Sequence, residues 1–200
     1  MLKLQKIAIT GGVASGKSSV CQFFEELGAY VVNADAIVHE LLKPDTDLGQ
    51  QIIRTLGHTI ISEGKMSRRI IAEKVFKDPK LLEALEKLLH PAVLKKIDAL
   101  YAEASKAGKY TSFAVEIPLL FEIGNEGSYD VIVAVLTDEA IAKKRFAAAG
   151  FQLEEYDRRM RRQINPHQKA LRAHHTIHNN GSLEDLRKQV IALNQTIQKS

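Results

Sequence analysis

The sequence predicts an α/β fold in which helices cover both faces of a parallel β-sheet, and two observations carry this prediction. A short apolar strand, a glycine-rich turn and a helix start follow one another from Ile7 to Ser19. Further along, the near-continuous apolar run Asp130–Leu136 is typical of a strand buried on both faces. In such folds, ligands collect beyond the carboxyl ends of the strands.

The turn after the first strand carries a phosphate-binding signature. Gly11, Gly16, Lys17 and Ser18 fit the pattern G-x-x-x-x-G-K-[ST], known as the P-loop. Glycines let successive backbone N–H groups point at an anion, and the following helix adds the positive end of its dipole. Lys17 is expected to reach the β- and γ-phosphates, and the Ser18 hydroxyl to ligate Mg²⁺. We therefore predict a nucleoside triphosphate site. The residues expected to line it are Gly12, Val13, Ala14, Ser15, Gly16, Lys17, Ser18 and Ser19.

The next helix, Lys17–Leu27, repeats apolar residues at helical spacing and ends at Gly28, and a strand over Ala29–Val32 follows. Asp35 comes shortly after this strand, at the edge of the sheet where ligands collect. Position alone leaves two interpretations of Asp35 open. It shares the crevice with the glycine-rich turn, or it caps a helix over Ala36–Leu42.

From residue 44 to residue 109 the sequence has little strand signal and shows helical periodicity instead, with glycines and prolines separating four segments. These segments are Leu48–Leu56, Arg68–Phe76, Pro79–Leu89 and Val93–Ala107. A long helical excursion between two parallel strands suits a substrate-holding domain better than a simple crossover. We predict a core of residues 1–43 and 111–200 and an inserted helical domain of residues 44–110.

Three further strands complete a predicted five-stranded parallel sheet in a three-layer core. They are Ser112–Ile117, Asp130–Leu136 and Thr176–His178. The apolar turn Pro118–Phe121 is typical of core, and it also suits an apolar wall for a ligand. A helix over Glu139–Ala149 and a terminal helix capped by Ser182 complete the chain.

Basic residues concentrate near the end of the chain. Between residues 143 and 172, nine basic residues face three acidic ones, whereas the whole chain carries a net charge of +4. Four of them are arginines within five positions, and helical spacing predicts that three share one face. The three are Arg158, Arg161 and Arg162, with Arg159 to the side. Because arginine pairs bidentately with phosphate oxygens, we predict that residues 144–173 form a lid over a polyphosphate rather than an exposed helix that only aids solubility.

Composition narrows the class of protein. An apolar fraction of 45% with 26% charged residues is ordinary for a globular chain. The single cysteine, Cys21, excludes an internal disulfide and favours a reducing cytoplasm. The first strand begins within a few residues of Met1, which leaves no room for a signal peptide, and no apolar run is long enough to span a bilayer. The local charge excess argues against a whole-surface nucleic-acid binder and for one basic element that faces phosphates. We expect no nucleic-acid partner and no membrane partner.

A phosphate-binding turn leaves three classes open: a small-molecule kinase, a GTPase switch, or a nucleic-acid motor. The N-K-x-D and D-x-x-G segments of GTPases do not occur here. A motor would be longer, with a clearer acid after an apolar strand, a role for which only Glu116 or Asp138 could be argued. A compact chain with an inserted helical region and an arginine-rich element favours a kinase, because a kinase must exclude water from its phosphates.

Six stretches are together more specific than the phosphate-binding turn alone. They are T-G-G-V-A-S-G-K-S-S (Thr10–Ser19), V-V-N-A-D-A-I-V-H-E-L (Val31–Leu41), E-G-K-M-S-R-R-I-I-A-E-K-V-F (Glu63–Phe76), L-E-K-L-L-H-P (Leu85–Pro91), I-P-L-L-F-E (Ile117–Glu122) and N-N-G (Asn179–Gly181). Through these stretches the chain resembles, over nearly its full length, the dephospho-CoA kinase family.

This resemblance implies transfer of the γ-phosphoryl group of ATP, with Mg²⁺, to the 3′-hydroxyl of dephospho-CoA; the oligomeric state stays open. Asp35 falls on the family's catalytic aspartate, and Lys17, Arg145 and Arg159 are the expected partners in catalysis. The acceptor is expected to contact Thr10, Asp35, Arg68, His90, Pro118, Leu119 and Leu120. Two alternatives are a kinase for another nucleotide-like acceptor and a P-loop NTPase or switch that is not a kinase.

The sequence departs from the family pattern at a few positions. Asn33 and Ala14 stand where the family often has Asp and Gly, and we expect Ala14 to be tolerated if its φ is negative. His174 and His175 occupy the positions at which the family usually has an Asp before its last strand. Either Lys144 or Arg145 could align with the lid arginine that the family has in this helix. Arg159 is the stronger candidate for the lid residue that contacts phosphate.

Overall fold

The computed structural model describes residues 3–199, so Met1, Leu2 and Ser200, which the predicted domain ranges include, lie outside the described residues. The strands are β1 (Lys6–Gly11), β2 (Tyr30–Asn33), β3 (Ile61–Ser62), β4 (Lys65–Met66), β5 (Phe113–Glu116), β6 (Val131–Leu136) and β7 (His175–His178). Five of them form a parallel sheet in the order β2-β5-β1-β6-β7, which confirms the predicted fold class.

Nine α-helices occur within residues 3–199. They are α1 (Lys17–Glu26), α2 (Ala34–Leu41), α3 (Asp47–Leu56), α4 (Arg68–Val75), α5 (Pro79–Ala107), α6 (Glu139–Ala148), α7 (Leu153–Met160), α8 (Pro166–Arg172) and α9 (Leu183–Ile197). In this part of the chain, none of the helices combines the length and the apolar character that crossing a bilayer requires.

The chain divides into two compact units. One, here called the sheet unit, comprises residues 1–33 and 101–200; the other, the helical unit, comprises residues 34–100. The chain passes from one unit to the other after residues 33 and 100, which differ from the predicted domain boundaries. The division at residues 44 and 110 stays a prediction.

Alternation along the central strands separates the two faces of the sheet. Side chains of β1 and β6 at every second position, such as Ile9 and Val133, pack with α1 and α9 in one buried cluster. On β5, the Phe113 ring makes an edge contact with Tyr101 near the end of α5. Cys21 of α1 is buried in the α1–α9 cluster, and this burial raises the pKa of its thiol far above the usual range.

The helical unit has its own buried core of residues from α3, α4 and α5. It also contains an antiparallel hairpin, β3–β4, where the sequence shows little strand signal. The two residues joining these strands, Glu63 and Gly64, have positive φ values of 51° and 73°. Positive φ at both central positions is what a type I′ hairpin turn requires. The helical periodicity of this region did not predict the hairpin.

The predicted break at Pro91 is also absent, because α5 continues through it from Pro79 to Ala107. Proline removes one helical hydrogen bond and crowds the preceding turn. One face of α5 is buried on both sides of Pro91. Its residues recur at four-residue spacing and include Leu85, Leu89 and Val93. This packing outweighs the local cost, which periodicity alone does not reveal.

Candidate active site

The loop between β1 and α1 has the backbone geometry of a phosphate cradle. Gly11 and Gly16 have φ values of 145° and 92°, in the region that side chains disfavour. A Cβ atom on Gly11 would lie 2.3 Å from the carbonyl oxygen of Val135 on β6. Glycine is therefore required at position 11 by close backbone approach as well as by its dihedral angle.

Lys17 is buried, and its ammonium group folds back over this loop. Its Nζ donates to the carbonyl oxygen of Gly12 at 2.7 Å and to that of Gly11 at 3.3 Å. A cation held over the loop backbone is positioned to neutralise an anion in the cradle. Lys17 thus lies beside the loop, and its contact with the β- and γ-phosphates stays a prediction.

Ala14, at the tip of the loop, has a φ of 53°. The negative φ on which its tolerance was expected to depend is therefore not observed. A left-handed conformation costs a residue with a Cβ roughly 1–2 kcal/mol, and the loop imposes it here regardless of the residue.

A carboxylate lies next to the side chain of Ser18, the first residue after Lys17. The Ser18 hydroxyl donates to Oε1 of Glu116 at 3.0 Å, and Asn33 Nδ2 donates to Oε2 of the same carboxylate, also at 3.0 Å. Glu116 and Asn33 end the neighbouring strands β5 and β2, in register with each other. A hydroxyl next to a carboxylate at strand ends is a donor set that suits Mg²⁺.

A cavity of about 170 Å³ opens on the other side of the loop. Its lining includes Gly16, Ser19, Arg145, Asn179 and Leu183. Arg145 Nη2 donates to Asn179 Oδ1 at 3.3 Å, and Asn179 Nδ2 donates to the carbonyl oxygen of Ser15 at 2.8 Å. Arg145 therefore lies beside the phosphate loop, where an arginine plane can stack on a base.

The predicted acceptor wall lies directly after β5. Thr10 is fully buried, and its hydroxyl donates to the carbonyl oxygen of Pro118 at 3.2 Å. Leu120 is fully buried as well, whereas Pro118 and Leu119 are partly exposed. Thr10 and Leu120 are thus placed to support the wall, and Pro118 and Leu119 to present it.

The arginine-rich segment differs from the predicted arrangement. Helix α7 ends at Met160, so Arg161 and Arg162 lie in the following turn, and the expectation that both share a helix face with Arg158 was wrong. Arg159 pairs with Glu155, and its guanidinium lies 5.5 Å from the ring centre of Phe146 and 5.4 Å from that of Phe151.

Three predicted site residues, Asp35, Arg68 and His90, belong to the helical unit. Asp35 is exposed and lies inside the first turn of α2, so the interpretation as a residue that caps the helix from outside is wrong. The Arg68 guanidinium contacts the ring of His39, and His90 is partly buried on α5.

Several residues that this geometry brings to the loop were not predicted from the sequence as site residues. Glu116 was considered only as the acid of a motor, and Asn179 only as part of a family motif. Thr137, whose hydroxyl donates to the Ser15 carbonyl oxygen at 2.9 Å, was not considered at all. The one available signal was position, because Glu116 and Thr137 stand at the carboxyl ends of β5 and β6.

Comparisons with known proteins agree with one another. A family model described as dephospho-CoA kinase matches residues 5–185. The dephospho-CoA kinase of Protochlamydia amoebophila is 42% identical over 199 residues, covering 98% of each chain. The solved structure of TT1252 from Thermus thermophilus has a TM-score of 0.81 at 31% identity, covering 97% of this chain and 98% of that one. Dephospho-CoA kinase from Campylobacter jejuni has a TM-score of 0.72 at 27% identity, covering 97% of each.

Proposed function

The chain belongs to the dephospho-CoA kinase family, and from this membership we infer that it transfers the γ-phosphoryl group of ATP to the 3′-hydroxyl of dephospho-CoA, giving CoA and ADP. The family match, which extends over most of the chain, is the observation that carries this conclusion. The resemblance found in the sequence is thereby confirmed, and the chain is an ATP-using phosphotransferase.

Phosphoryl transfer depends chiefly on positioning and on neutralising charge. We propose that the backbone from Gly12 to Ser19 holds the ATP phosphates and that Lys17 neutralises the β- and γ-phosphates. The buried ammonium over the loop supports this role. For the base, we propose the cavity at Arg145 and Asn179, with the Arg145 plane stacking on adenine.

Mg²⁺ fits the donors present at Ser18. We propose that the Ser18 hydroxyl holds the ion and that Glu116, which accepts the Ser18 hydrogen bond, keeps this oxygen in place. When bound, Mg²⁺ supplies positive charge to the phosphate oxygens. Asn33 donates to the far oxygen of Glu116 and thereby fixes the orientation of the carboxylate.

On the acceptor side, we propose Asp35 as the group that orients the ribose hydroxyl and accepts its proton. Its place two residues after β2 and its match to the family's catalytic position support this assignment. Arg68 and His90, together with the wall Pro118–Leu120, are proposed to hold the rest of dephospho-CoA. Arg159 is proposed to leave Glu155 and contact the transferred phosphoryl group, as the lid residue of the segment 144–173.

The first test measures ADP release from Mg-ATP with and without dephospho-CoA, together with the mass of the product. We expect ADP formation that depends on the acceptor and a product heavier by one phosphoryl group. Acceptor-independent hydrolysis would contradict the proposal and return the chain to the class of NTPases that are not kinases.

Asp35→Asn tests the proposed proton acceptor. We expect kcat to fall by about 10²–10⁴-fold, while ATP binding measured by calorimetry stays unchanged. Asp45→Asn, another exposed acid of the helical unit, is the matched control and should keep normal turnover. Near-normal turnover of Asp35→Asn would refute the assignment.

We further propose a cytoplasmic location, supported by the single buried cysteine and by the reaction itself, whose substrates are small molecules.

A further inference from the structure

Lys169 of α8 is a fully buried lysine that the proposed reaction does not use. Its Nζ reaches the carboxylate oxygen Oε1 of Glu122 at 2.8 Å, the carbonyl oxygen of Pro118 at 2.6 Å and Oε1 of Gln163 at 3.4 Å. An ammonium group has three donors, and each therefore has an acceptor. Because burying a charge is strongly unfavourable without such partners, this geometry is closely specified.

Glu122 connects two different segments of the sheet unit. Besides Lys169, its Oε1 accepts the backbone N–H of Ile164 at 2.8 Å. Ile164 lies in the loop between α7 and α8, directly after the arginine-bearing turn. The carboxylate therefore attaches this loop to the turn that follows β5.

The other oxygen of Glu122, Oε2, is buried and accepts no hydrogen bond from the described residues. A buried ion pair adds little net stability over an apolar pair, so the contacts of Lys169 and Glu122 to Pro118 and Ile164 favour a role in fixing position.

The same contacts extend to the phosphate loop. The Pro118 carbonyl oxygen that accepts from Lys169 also accepts the hydroxyl of Thr10, at the end of β1. At the start of α8, Pro166 packs against Gly12, where an added Cβ would lie 3.0 Å from Pro166 Cγ. The junction of α7 and α8 is thus held against the loop by packing as well as by hydrogen bonds.

We propose that Lys169 and Glu122 are positioning residues for phosphoryl transfer. They hold the α7–α8 junction against the phosphate loop. The backbone that carries the arginines at the end of α7 and in the following turn therefore keeps a fixed position, from which these side chains reach the transferring phosphoryl group. The pair acts through Ile164 and Pro118 and does not itself touch substrate. This inference rests on the proposed kinase function.

The test compares three variants with the wild type. Lys169→Met removes the charge at similar volume, and the double variant Lys169→Met/Glu122→Leu replaces the pair with apolar side chains. Glu126→Gln is the matched control, because Glu126 pairs with Arg172 of α8 at the partly exposed surface and so joins α8 to nearly the same stretch. The measurements are kcat, the KM for ATP, the thermal midpoint Tm, and hydrogen exchange of the Ile164 amide.

For Lys169→Met we expect kcat to fall by about 10–100-fold with a KM for ATP within about threefold of wild type, because a misplaced group weakens the transition state more than ground-state binding. The Ile164 amide should exchange faster. The double variant should regain the wild-type Tm but keep the low kcat and the fast exchange, whereas Glu126→Gln should match wild type throughout.

Recovery of both Tm and kcat in the double variant would overturn the proposal, because it would show that the pair contributes stability alone. Slow exchange of the Ile164 amide in Lys169→Met would overturn it as well. If the wild type lacked acceptor-dependent activity, the kinase function would fail separately, while the exchange measurement would still decide whether the pair holds the junction.

Discussion

Lys17 and Lys169 are both buried lysines of the sheet unit, and their surroundings differ. Lys17 lies over the loop whose carbonyl oxygens accept from it, within six residues along the chain. Lys169 is held by Glu122 and Pro118, which lie 47 and 51 residues away. A local motif therefore identifies the first lysine, whereas the two shortest contacts of the second, to Glu122 and Pro118, form only in the folded sheet unit.

The largest expected effect concerns the stability of Lys169→Met. Removing the ammonium leaves the buried carboxylate of Glu122 without its cation, which we expect to lower the free energy of unfolding by about 3–5 kcal/mol. Urea denaturation of the variant and the wild type measures this difference. A loss below about 1 kcal/mol would mean that the Glu122 carboxylate needs no cation beside it, and the contrast with Lys17 would disappear.

Lys17→Met should show the opposite profile. We expect turnover to fall by about 10²–10³-fold, as for the loss of one transition-state donor, with the free energy of unfolding within about 1 kcal/mol of wild type. Initial rates with saturating ATP and dephospho-CoA, combined with urea denaturation, separate the two quantities. Strong destabilisation would place Lys17 in the same structural class as Lys169.

The dependence of stability on alkaline pH gives a further test of the buried Lys169. Burial lowers the pKa of Lys169 below its ordinary value of 10.5, against the opposing effect of Glu122. Between the folded-state pKa and 10.5, the unfolded chain therefore holds more protons at this site than the folded chain, and stability rises with pH. We expect the stability of wild type relative to Lys169→Met to increase across this window. A decrease would show that Glu122 outweighs burial.

The smallest effect is expected at Ala14. Replacement by glycine removes the cost of a φ of 53°, but glycine also gains freedom in the unfolded chain, so the net stabilisation should stay below about 1 kcal/mol. Glu63→Gly is the matched control, since Glu63 has a φ of 51° in an exposed hairpin turn. If Ala14→Gly is destabilising while Glu63→Gly is not, the methyl group of Ala14 contributes contacts that exceed its strain.

These contrasts explain which features the sequence could predict. The phosphate loop, the five parallel strands and most helices follow from spacing and periodicity, which act over a few residues. The β3–β4 hairpin was not predicted because its strands have only two residues each. The continuation of α5 through Pro91 was not predicted because it depends on packing along the helix.

In the site, too, the sequence predicts residues of a local motif but not contacts between distant residues. Lys17 and Ser18 were predicted from the motif, but Glu116 acquires its place beside Ser18 only when β5 pairs with β1 in parallel. The turn at Arg161 and Arg162 was missed because a run of good helix formers gives no sign of where α7 ends.

The burial of Cys21 also gives this chain an internal reporter. The thiol lies four residues after Lys17 on α1, is packed in the core, and has a raised pKa, so disulfide reagents are expected to modify it only when the helix opens. The modification rate then measures how often the unaltered enzyme exposes the helix that follows the phosphate loop. A nucleotide that binds the closed form slows this labelling in proportion to its occupancy, which yields an affinity without any turnover.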